Sequence, residues 1–119
     1  MKTYDIINAK GTLEKLSAMD LPLPAAIKLS KNVVEVNEVF KMFEEKRQAL
    51  FVAYGEADED TGNTNIKEEN MDTFQKELNE MLFSDIDIDV KTLDVESLSN
   101  DIKLSANELN SVSWLFKDM

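Results

Sequence analysis

Carboxylates are the residues of this chain whose clustering most invites a chemical reading. The sequence contains no cysteine and no histidine. That removes thiol nucleophiles, thiolate metal sites, disulfides and the usual general base near neutral pH. Two acidic clusters remain. Asp58 and Asp60 stand at the first and third positions of a twelve-residue stretch ending on Glu69, as in an EF-hand calcium loop. The register then slips, because Gly62 falls at the fifth position and Ile66 at the ninth. The motif needs its glycine at the sixth for the sharp turn. An ordinary solvated loop is the better reading, with Asp58, Asp60 and Glu69 as secondary calcium candidates and no cofactor expected.

In the second cluster Asp85, Asp87 and Asp89 alternate with Ile86, Ile88 and Val90. Three carboxylates on one strand face suit Mg²⁺ in the manner of two-metal nucleases. They equally serve to block edge-to-edge pairing of a solvent-facing strand. No Lys-rich or Gly-rich phosphate cradle accompanies them, so the structural reading is preferred and no enzyme is expected.

Charge is unevenly placed. Residues 1–55 carry 8 basic and 7 acidic side chains, a net of +1, and residues 56–119 carry 5 and 17, a net of −12. The total of −11 argues against nucleic-acid binding through phosphates, which needs clustered Lys and Arg. It permits binding to a basic protein surface, or imitation of a phosphate backbone; a solvated acidic face that keeps the protein soluble is the plainer reading. No apolar run is long enough to span a membrane. The opening MKTYDIINAKGTLEKL lacks the apolar core of a secretory signal.

The elements around these residues follow from periodicity. Residues 24–54 form one long helix, with apolar positions at Ala26, Leu29, Val33, Val36, Phe40, Phe43, Leu50 and Tyr54 and only Arg47 breaking the stripe. Pro22 and Pro24 suit its start, and Gly55 suits its end as a residue able to turn left-handed. A first helix is predicted over 4–18, from Ile6, Ala9, Leu13 and Leu16, with Thr3 as a candidate cap. The polar stretch GEADEDTGNTN connects the long helix to a third at 66–83, which folds back as an antiparallel hairpin. The Asp/Ile alternation predicts a strand at 85–91, with a second at 101–104. Ser105 and Glu108 have capping-box spacing and open a last helix through 117. The expected fold is mainly α (α+β), in a single domain over 1–119.

The third helix is about half as long as its partner, so part of the long helix needs other cover. An uncovered apolar patch usually marks an interface. Val33, Val36, Phe40 and Phe43 are therefore expected to form a homo-oligomer seam. Arg47 fits a side chain laid along the apolar surface with its guanidinium on solvent or a nearby carboxylate, or else an ion pair to the third helix or a partner chain. Trp114 fits a core anchor and an interface anchor equally. The methionines read as core filler.

The phrases LPLPAAIKLSKNV, FEEKRQALFVAYGEADED, FQKELNEMLFSDIDID and IKLSANELNSVSWLF resemble a family of small, uncharacterised proteins encoded by tailed bacteriophages and prophages. That resemblance implies a setting in host cytoplasm or virion, and no catalytic residues. It implies a protein partner, either a phage structural protein or a host enzyme. The leading expectation is a non-catalytic virion accessory or assembly factor. A host-directed inhibitor acting through the acidic half is the alternative.

Overall fold

Pro22 sets where the longest element begins. As N-cap it holds φ −52° and ψ 141°, and Pro24 sits in the first helical turn, where a missing N–H leaves no hydrogen bond unmade. From there α2 runs Leu23–Tyr54, 32 residues, about 48 Å of helix in a molecule whose longest dimension is 52 Å. The structure, a computed structural model, describes residues 1–57, 60, 62–98 and 101–117.

Before α2 stands α1, Thr3–Ser17. The expected stripe is its buried face: Ile6, Ala9, Leu13 and Leu16 are all in the core. Thr3 is not the cap. The Asp5 carboxylate accepts the Lys2 N–H at 2.9 Å, which frees the Thr3 hydroxyl to reach Ser84 Oγ at 3.0 Å.

After α2 the chain forms a small antiparallel sheet where a plain polar connection was expected. Strand β1, Gly55–Ala57, pairs with β2, Thr64–Ile66, in the register Gly55 to Ile66. Gly62, at φ +73° just before β2, takes the left-handed conformation that glycine adopts without steric cost. Gly55 ends α2 for a different reason from the one expected. Its φ is −101°, so no left-handed turn is involved. A Cβ there would lie 2.5 Å from the Phe51 carbonyl oxygen and 2.7 Å from Thr64 Cγ2, and only glycine permits that approach.

A 3₁₀ turn at Glu68–Asn70 leads into α3, Met71–Leu82. The hairpin therefore takes the first turn expected of this helix. α3 runs back antiparallel along α2: Phe74 meets Phe51 at 5.1 Å between ring centroids, and further along Met81 shares a cleft with Lys46 and Leu50.

Residues 85–91 and 101–104 carry no strand. Alternation nevertheless chose the face correctly, since Asp85, Asp87 and Asp89 are exposed while Ile86, Ile88 and Val90 are half-buried. Ile86, Ile88, Ile102 and Leu104 pack on the helical core. Side-chain period reports which face is wet, not what the backbone bonds to. Here single bridges replace a ladder, Lys2 with Asp85 and Leu93 with Phe116.

The Ser105–Glu108 capping box is present, with the Glu108 N–H donating to Ser105 Oγ at 3.1 Å and Glu108 Oε1 accepting the Ser105 N–H at 2.9 Å. It opens α4, Ala106–Ser111, which stops short of the expected 117. A 3₁₀ turn follows at Ser113–Leu115. The Leu115 carbonyl there accepts the Leu93 N–H at 2.8 Å, and the Lys117 N–H donates to the Leu93 carbonyl at 2.9 Å. Continuing the helix would forfeit both bonds. The core closes where α1, the first half of α2, Leu93 and the residues Val112, Leu115 and Phe116 meet.

Candidate interaction surface

Because that core lies against the first half of α2, the second half is covered by α3 and little else. Two anchors fix α3 in place. Phe51 and Phe74 pack at an interplanar angle of 57°, and the Tyr54 hydroxyl donates to Glu77 Oε1 at 2.9 Å. The Tyr54 carbonyl also accepts from Asn70 Nδ2 at 3.3 Å and the Lys67 N–H at 3.2 Å.

The Glu77 carboxylate raises the Tyr54 phenol above its ordinary value, first through the hydrogen bond and then through desolvation and charge repulsion. A raised acid contributes stability that is present below its unfolded value and is lost as pH rises through the folded one. Tyr54→Phe is therefore expected to melt below wild type at neutral pH, with the gap closing above about pH 10. Melting curves at pH 7 and pH 11 measure this; an unchanged gap would mean the bond contributes nothing.

Beside these anchors α2 and α3 leave two clefts, of about 330 and 520 Å³, which meet at Lys46, Met81 and Ser84. The first is floored by Val39, Met42, Phe43 and Ile86. Ala49 and Leu50 floor the second, with Glu77 and Glu80 on the α3 wall. Met42 is 58% exposed, so it is a groove-lining side chain rather than the core filler expected. One residue along from Thr3 and Ser84, the exposed rings of Tyr4 and Phe83 stack at 6.1 Å.

Of the residues expected to form an oligomer seam, Phe43 lines the first cleft from below and the others lie elsewhere. Val36, at 2% exposure, and Phe43, at 8%, are buried within the chain itself. Val33 packs on the core. Half-buried Phe40 carries the Lys10 ammonium of α1 over its ring, 3.6 Å from the centroid. α1 thus takes the side of α2 that a second copy was expected to occupy.

Arg47 pairs with a nearby carboxylate of its own helix. Its guanidinium forks onto Glu44 one turn back, at 2.9 and 3.2 Å, and lies 5.3 Å from the Phe51 ring centroid. The Arg47 hydrogen bond holds the Glu44 carboxyl below the ordinary carboxylate range. Trp114 is half-buried and packs against the core, with one polar cost: its indole N–H is buried with no hydrogen-bond partner among the described residues.

Among the described residues the carboxylates do not assemble a metal centre. Asp58 lies outside the described residues, and Asp60 and Glu69 are exposed. Asp85 pairs with Lys2 at 2.8 Å and Asp89 with Lys91. Among the described residues, no three of Asp, Glu, His or Cys are placed to hold one ion, and no helix is long and apolar enough to cross a membrane.

A residue that sequence reasoning missed organises this region from behind. Asn32, 1% exposed, clamps the chain after the acidic row. Its Nδ2 donates to the Lys91 carbonyl at 2.8 Å, and its Oδ1 accepts the Lys91 N–H at 2.7 Å.

Comparison with protein-family models, with curated proteins and with solved structures finds no match.

Proposed function

We propose that this chain is a non-catalytic protein-binding module, encoded by a tailed phage or prophage and serving as a virion accessory or assembly factor. The observation that carries this reading is the apolar groove left open along the second half of α2, with exposed Met42 lining it. Exposed apolar surface of this kind marks protein interfaces. The lack of histidine and cysteine and the resemblance to small phage proteins support it further. Mass spectrometry of purified virions tests it, and recovery of the chain with the particle is the expected result.

The exposed row Asp85, Asp87 and Asp89 favours a second reading, a host-directed inhibitor presenting carboxylates to a basic cleft. Recovery only from infected cytoplasm, bound to a host nucleic-acid or defence enzyme, would replace the first reading with this one.

A further inference from the structure

We propose that the groove between α2 and α3 takes one basic amphipathic helix from a partner polypeptide, about three turns long. This deepens the binding-module reading and rests on it.

Length comes from the floor. Val39 to Leu50 spans eleven residue steps of α2, about 16 Å, the rise of three helical turns. Apolar anchors spaced one turn apart on a docking helix would meet Met42, Met81 and Leu50 in succession. Methionine adapts its shape to such occupants.

Charge selects the sign of the occupant. Glu77 and Glu80 line the second cleft against a single lysine, Lys46; at the first cleft Asp85 is already paired with Lys2, and Asp87 stands exposed beyond it. Lysines or arginines flanking the apolar stripe of the docking helix would meet these carboxylates. The same charges argue against other occupants. Anionic lipid and nucleic acid are repelled by a chain of net charge −11. A second copy docking through this groove about a two-fold axis would set its acidic rim against an identical one.

The probe is a fluorescent leucine–lysine amphipathic helical peptide of about four turns, alongside its leucine–glutamate counterpart, both read by anisotropy at physiological salt. Val34 is exposed and lies about 120° round α2 from Lys46, so it serves as the control. Met42→Glu and Val34→Glu add the same charge at two exposed positions. Simple electrostatic adsorption would strengthen equally with both.

The lysine peptide is expected to bind with a Kd on the order of 10 µM. Met42→Glu should weaken it by about tenfold, and Val34→Glu should change it less than about twofold. Glu80→Lys should weaken the lysine peptide and improve the glutamate one; helical circular dichroism confirms that each variant is folded. Equal binding of the two peptides, equal effects at Met42 and Val34, or no binding of the lysine peptide overturns the proposal. Any of these removes the basic-helix partner while the recovery of the chain from virions or cytoplasm still judges protein binding itself.

Discussion

Asn32→Asp should melt well below wild type at neutral pH and regain much of that loss as the pH falls. The reason lies in what Lys91 requires. Its N–H and carbonyl both end on the Asn32 side chain, which is fully enclosed in α2. Asn32→Ala leaves two backbone groups of half-buried Lys91 without their partner, at about 2 kcal/mol in total, or on the order of 10 °C in Tm.

An ionised aspartate keeps the acceptor but loses the donor and adds a buried charge, so it should do worse than alanine near pH 7. Burial raises the pKa of such a carboxyl. Its deficit is therefore largest above that raised value and shrinks as pH falls through it. Protonated, it again offers one donor and one acceptor, the arrangement asparagine supplies. Melting temperatures across pH, each referred to wild type at the same pH, check this. The alanine deficit should stay flat while the aspartate deficit narrows; parallel curves would mean that the clamp is not paired in this way.

Val36→Asp should abolish cooperative folding. Val36 is almost completely enclosed and belongs to the core cluster with Leu13 and Leu16. An unpaired charge there costs several kcal/mol, a large part of the stability a domain of this size has. Val34→Asp, two residues back and 59% exposed, should stay within about 0.5 kcal/mol of wild type. The contrast locates the oligomer seam expected from sequence. If Val36 faced a second copy, its aspartate variant would be a folded monomer by light scattering. Loss of helical signal places it in the core.

The helices were legible where one face alone is apolar. α1 carries one main apolar stripe, Ile6, Ala9, Leu13 and Leu16, and all four are buried. α2 is apolar on several sides, and there the stripe holds at Leu29, Val36 and Phe43 but not at every position. The most buried line runs through Ala25, Leu29, Asn32, Val36 and Phe43, beside Ala26 and Val33 rather than through them. Rotation of a broad-faced helix is settled by its neighbours, here a clamp on a residue 59 positions away. Nothing near Asn32 announces that partner.

The same ambiguity hid the groove. Met42 and Val39 read as cover for some neighbour, and only packing decides which neighbour is missing. Gly55 was recognised as a stop for the wrong reason, because a clash with Thr64 cannot be foreseen before the hairpin is known. Asp85 to Val90 show the reverse: their alternation predicts wetting correctly even without a sheet.

The core joins distant parts of the chain. The Thr12 hydroxyl meets that of Ser111 at 2.8 Å, Lys15 pairs with Glu108 at 2.9 Å, and Val112, Leu115 and Phe116 close over α1. Synthesis proceeds from the other end. As the nascent chain emerges, the greasy side of α1 is made first and its lid last. In between, the α2–α3 hairpin has everything it needs from local contacts and can form early. Until residues 112–116 exist, α1 is a sticky helix on a half-built protein, the kind of intermediate that chaperones guard.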